Sequence, residues 1–134
     1  MDQLEYSTKK DINKVERVQR QSARFIMGNY SSYSSVSNMI EILNLQSLEH
    51  RRSNASIILF YKTINNLISI SSNELIPLTS VTRGHKHRFH HIYTRTLSYY
   101  HSFFPQVIRI WNSLPPALVE QQSLATFKRH MNSL

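Results

Sequence analysis

The chain has 134 residues, 40% of them hydrophobic and 18% charged, with two Gly and no Cys. That is enough for one domain with a modest core, and the lack of Cys rules out disulfide frameworks and thiolate metal sites. Sixteen Lys and Arg against eight Asp and Glu leave a net charge of +8, a balance that favours polyanions such as nucleic acid or an acidic membrane face.

Residues 1–10 are polar and lack the apolar stretch of a secretory signal, and no run of about 18 apolar residues is present to span a bilayer. An intracellular address, nucleus or cytoplasm, and no membrane partner are therefore expected. Scarce Gly with Ser- and Asn-rich turns predicts a mainly α protein, a small helical bundle of about four or five helices with an irregular basic segment near residues 77–101. Three regions follow: a helical part over 1–70, a basic irregular linker or arm over 71–101, and a C-terminal helical segment over 102–134 packed on the first part.

The spacing predicts a first helix over 11–27, with Ile12, Val15, Val18, Ser22, Phe25 and Ile26 as its apolar stripe and Gly28-Asn29 as its stop. Lys10, Lys14, Arg17, Arg20 and Arg24 lie opposite that stripe. Two readings are open for them: a solvated charged face, or a rail that neutralises successive phosphates in a salt-dependent, sequence-blind way.

Ser34 or Ser35 can cap a short helix from Val36, with Val36, Met39, Ile40 and Leu43 on one face and a break over 44–46. Ser47 can cap a longer one over 48–67, whose predicted stripe is Leu48, Arg52 by its stem, Ala55, Ile58, Leu59, Lys62 by its stem and Leu67, widened by Phe60, Ile64 and Ile68. Arg51 and Arg52 at its start oppose the helix dipole and call for a partner, Glu49 or a phosphate. Residues 69–80 read as a linker.

Between Leu75 and Val119 there is no acidic residue. Arg83, His85, Lys86 and Arg88 stand in a stretch over 81–100 without helical periodicity, interleaved with Phe89, Tyr93, Tyr99 and Tyr100. Cations between rings suit a single strand, whose bases stack while its phosphates are neutralised. A loosely held surface arm is the other reading.

Residues 99–116 gather the only Trp, two Phe, two Tyr and three of the four Pro. Pro105 suits the first turn of a helix to about Asn112, on which Phe104, Val107, Ile108 and Trp111 share a face and Arg109 does not. Pro115-Pro116 then forces a turn, 116–120 allows a single helical turn, and Ser123 caps a last helix with Leu124, Phe127, Met131 and Leu134 on one face. The predicted core is Phe25, Leu59, Phe103, Phe104, Ile108, Trp111, Leu114 and Phe127.

An ordered set of short motifs resembles one family. Val18-Gln19-Arg20, Ala23-Arg24-Phe25 and Gly28-Asn29-Tyr30 come first, then Ser47-Leu48-Glu49-His50-Arg51-Arg52, Tyr61-Lys62 and Thr82-Arg83-Gly84-His85. Ser102-Phe103-Phe104-Pro105, Ile108, Trp111-Asn112-Ser113-Leu114-Pro115 and Phe127-Lys128 complete it. Together they look like the thumb and tail of reverse transcriptases from LINE-type, jockey-like non-LTR retrotransposons, over about residues 9–134. The resemblance implies that the chain is a C-terminal piece of a longer RNA-directed DNA polymerase, that the first helix belongs to a thumb gripping template RNA and primed DNA, and that the rest of the polymerase is a partner.

Catalysis by this piece alone is not expected. Two-metal polymerisation needs clustered carboxylates, and the only aspartates are Asp2 and Asp11. His85, His87, His90 and His91 are flanked by Lys86 and Arg88, which repel a dication, so neither a metal nor another cofactor is expected. Nucleic-acid contact is assigned to Lys10, Lys14, Arg17, Arg20 and Arg24 for duplex phosphates, and to Arg83, His85, Lys86 and Arg88 for a flexible strand. The alternatives are a helical protein-interaction module that exposes Phe103, Phe104 and Trp111, or an unselected relic reading frame.

Overall fold

The computed structural model describes residues 3–80 and 82–133, with side chains of the first helix from Lys9 onward. Leu134 of the predicted last apolar face and Val81 of the predicted irregular stretch lie outside the described residues. The protein is mainly helical. In chain order it runs α1 (Gln3–Met27), α2 (Val36–Ile42), α3 (Leu48–Ile64), α4 (Leu97–Tyr100), α5 (Phe103–Asn112), α6 (Pro116–Val119) and α7 (Leu124–Met131).

Local chemistry sets the ends of these helices. Ser35 Oγ accepts the Asn38 amide, Ser47 Oγ the His50 amide, Thr96 Oγ1 the Tyr99 amide and Ser123 Oγ the Thr126 amide, at 3.1–3.3 Å. Each satisfies a donor that has no carbonyl partner within the first turn. Three helices end on the same left-handed closure. Gly28 (φ 61), Asn44 (φ 52) and Asn66 (φ 54) reverse the chain, and the next amide reaches back to Arg24 O, Ile40 O and Lys62 O respectively. Asn is the side chain best able to stand in for Gly at such a position.

Two compact units form, Met1–Arg52 and Ser53–Leu134, with the division falling inside α3. In the first, α2 packs on α1 through Val36 and Met39, and α1 buries Ala23 and Gln19. Gln19 Nε2 donates to Gln46 O at 2.9 Å, so the loop after α2 is tied to the same face. The predicted stripe of α1 is elsewhere: Val15, Val18 and Ile26 are exposed, and Phe25 is 76% exposed. Phe25 is therefore not a core residue. Small Ala23 leaves room for Val36 and Met39 of α2 on this face, and the Gln19 bond ties the following loop beside it.

In the second unit Trp111, Phe60 and Phe127 are fully buried, with Ile57, Tyr61, Val107, Ile108, Leu118, Val119 and Met131 around them. Trp111 meets Phe60 edge-on with ring centroids 5.1 Å apart, and Tyr61 stacks on Phe127 at 4.2 Å. Burying one such ring removes roughly 200 Å² from water, worth about 5 kcal/mol. Ile108, Trp111 and Phe127 are thus core as expected, and Phe103, Phe104 and Leu114 pack half-buried against it. Leu59 is not: at 36% exposure it lies off the buried face of α3. That face is Ile57, Phe60, Tyr61 and Ile64, because the aromatic contacts of Phe60 and Tyr61 set the rotation of the helix.

Candidate nucleic-acid interface

On α1 the cations form one arc. At 100° per residue Lys10, Lys14, Arg17, Arg20 and Arg24 fall within about 120°, and all but half-buried Arg24 are exposed. The covered face at Gln19 and Ala23 borders this arc on its Arg20 side, and the exposed Phe25 and Val18 border it on its Lys14 side. Along the seam runs an open groove of about 760 Å³, lined by Arg17, Arg20 and Arg24 from α1 and by Ser37, Ile40 and Ser47 opposite. Lys10 and Lys14 lie outside it.

The state of each cation follows from its neighbours. Arg24 Nη1 donates to Ser31 O at 2.8 Å, which holds the side chain against the loop after α1. Lys14 Nζ stands 3.2 Å from Asp11 in a fully wetted pair, of little energetic weight. Arg17 and Arg20 have no carboxylate partner among the described residues. Glu16, the acid lining the groove, is otherwise engaged: its Oε1 accepts the Glu49 amide at 3.1 Å and caps α3 beside Ser47. A carboxylate at a helix N-terminus is favoured by dipole and hydrogen bond together. Glu16 was legible only as one acid among basic residues, since its partner amide lies 33 positions away.

The second set, Arg83, His85, Lys86 and Arg88, belongs to a strap fastened onto α5. Leu78 N donates to Arg88 O and His90 N to Ile76 O around the Pro77–Phe89 bridge. Asn112 closes both backbone groups of Phe89, at 3.0 and 2.8 Å. Trp111 Nε1 donates to His87 O at 2.9 Å. The stretch is irregular but held at many points.

His85 is consequently not a ligand-facing side chain. It is 1% exposed, and its Nε2 lies 2.8 Å from Trp111 O. A carbonyl only accepts, so Nε2 carries the proton and the buried Nδ1 is a bare acceptor without a partner. Burial holds the imidazole below the usual histidine range, against the Trp111 carbonyl, which favours the charged form. His87 and Arg88 add repulsion, and Glu120 opposes them.

Arg88 is also turned inward. Its Nη1 donates to Arg83 O at 2.8 Å and its side chain lies across Gly84 (φ 80), where a Cβ would stand 3.4 Å from Arg88 Cδ. Arg83 is exposed, and Lys86 faces Glu120 at 4.0 Å across a wetted gap. Of the four residues assigned to a flexible strand, Arg83 and Lys86 are therefore outward.

Arg109, which sequence placed only off the apolar face, lies with its guanidinium carbon 3.6 Å above the Tyr100 ring centroid and donates from Nη2 to Tyr100 O at 2.9 Å. Their separation of nine residues across a helix junction leaves no periodic signal for this contact. Among the described residues no three of His, Cys, Asp or Glu cluster to hold a metal ion, and no helix is long and apolar enough to cross a membrane.

No protein-family model, curated protein or solved structure matches the chain.

Proposed function

We propose that the chain is the thumb-and-tail part of a LINE-type RNA-directed DNA polymerase, and that it holds template RNA and primed DNA by their phosphates without catalysis of its own. The family assignment rests on the ordered motifs from Val18-Gln19-Arg20 to Phe127-Lys128. One observation carries the activity: Arg17, Arg20 and Arg24 line a single groove whose acid, Glu16, is taken up in capping α3. Cations one helical turn apart, free of internal carboxylates, are matched to successive phosphates, and each contact releases counterions.

The test is anisotropy titration of a labelled RNA–DNA duplex between about 50 and 200 mM salt. The Arg17→Glu/Arg24→Glu chain is expected to bind more weakly and with a shallower dependence of affinity on salt. Equal affinity and equal slope for parent and variant would remove the rail.

A second reading, a protein-interaction module, is supported by the exposed Val15, Val18, Phe25 and Ile26 on α1. It does not rest on Trp111, which is fully buried. An apolar contact of that kind is nearly indifferent to salt, so the same titration design separates the two.

A further inference from the structure

We propose that Tyr100 and Arg109 form a platform on which one unpaired nucleobase of a single-stranded nucleic acid stacks; this rests on the nucleic-acid reading above and adds to it a site for the base. The pair is built. The guanidinium carbon lies 3.6 Å over the ring centroid, and Nη2 donates to Tyr100 O at 2.9 Å, so two contacts hold the pair together. His101 meets the Tyr100 ring edge-on, centroids 5.1 Å apart and planes at 88°, so it buttresses the rim of that ring at the α4–α5 junction and does not join the stack.

The core does not need this surface. Helix α5 enters the apolar cluster through Val107, Ile108 and Trp111, while Tyr99 and Tyr100 stay 44% and 41% exposed. Nor is the charge neutralised by an internal carboxylate. Arg109 has no carboxylate partner among the described residues, and no acidic residue occurs between Leu75 and Val119. A rigid ring joined to a permanent cation is complementary to a flat heteroaromatic attached to an anion, which is the chemistry of a nucleotide. Bases inside a duplex are already stacked on one another, so the ligand is an unpaired one.

The experiment compares the full chain with Tyr100→Leu and Arg109→Lys for binding of a labelled oligouridylate 12-mer and of an RNA–DNA duplex, with thermal melting of each variant. Tyr100→Leu keeps apolar bulk and loses the π-face. It is expected to weaken oligouridylate binding by about 5- to 150-fold, the range for one base stacked on an aromatic ring. Its duplex affinity is expected within about twofold of the parent, because no phosphate contact is removed. Arg109→Lys keeps the charge and loses the plane, so it is expected to weaken oligouridylate binding with an unchanged salt slope. Photocrosslinking of a 5-iodouridine oligomer is expected to mark Tyr99 or Tyr100.

Oligouridylate affinity equal to the parent's in both variants overturns the platform, as does an equal loss on both ligands together with a lowered melting temperature. Duplex binding that depends on Arg17 and Arg24 while oligouridylate binding ignores Tyr100 removes the platform alone. Binding of neither ligand by the parent removes the platform and the function proposed above.

Discussion

His85 and Trp111 are joined at two points: the imidazole Nε2 donates to the Trp111 carbonyl at 2.8 Å, and the imidazole stands edge-on to the indole with ring centroids 6.1 Å apart. The strap formed by residues 77–80 and 82–91 is thus locked to α5 by a neutral histidine whose second nitrogen is buried and unpaired. Protonation of Nδ1 places a cation in that site next to His87 and Arg88, with Glu120 as the only opposing charge acting on it.

Acid is therefore expected to loosen the second unit. The folded-state pKa of His85 is lowered, burial being the main cause, so the unfolded chain takes up the proton first. Stability from this group is full above the ordinary histidine value of about 6.5 and falls as pH drops below it, by at most about 1.4 kcal/mol per pH unit. Urea unfolding at pH 8, 7, 6 and 5 is the measurement. His85→Gln removes the titrating group, and its stability is expected to change less across the acid range than the parent's.

Replacing Trp111 tests the centre of the same unit. Trp111→Ala deletes a fully buried ring and is expected to cost about 3–5 kcal/mol. Trp111→Phe keeps much of the packing but leaves the His87 carbonyl without the indole N–H that meets it at 2.9 Å. It is expected to cost about 1–3 kcal/mol. Both are read by urea unfolding followed by helical circular dichroism, since Trp111 is the only Trp.

These two residues also mark how much of the molecule was legible in its sequence. Trp111, the helix around it and the caps Ser35, Ser47 and Ser123 were readable because each rests on local chemistry: a large ring, a proline, a hydroxyl before an apolar run. His85 was not, because a run of His, Lys and Arg has the polarity of a surface. Its burial depends on a carbonyl 26 residues away. The one-turn helix α4 carries no sequence signal for another reason: four residues are too few to display a period. On α1, periodicity picked out the apolar stripe, and the covered face turned out to be the one with Ala23 and Gln19.

That difference on α1 has a mutational signature. Phe25→Ser changes a side chain that is largely in water and is expected to move stability by no more than about 0.5 kcal/mol. Ala23→Leu forces bulk into a fully buried position on a helix packed against α2 and is expected to cost about 1–3 kcal/mol. Thermal melting of both variants decides it, and the opposite order would mean that the apolar stripe is the covered face.

Glu16 offers a separation of stability from binding. Its carboxylate caps α3 through the Glu49 amide and lines the groove with Arg17, Arg20 and Arg24. Glu16→Ala removes the cap and is expected to destabilise the first unit by about 0.5–2 kcal/mol. It also removes the acidic residue that lines that groove, which lessens the repulsion a phosphate meets there. Duplex affinity at low salt is therefore expected to rise while the melting temperature falls. A variant that loses affinity along with stability would mean that the groove acts through its folded shape alone and that its charge is incidental.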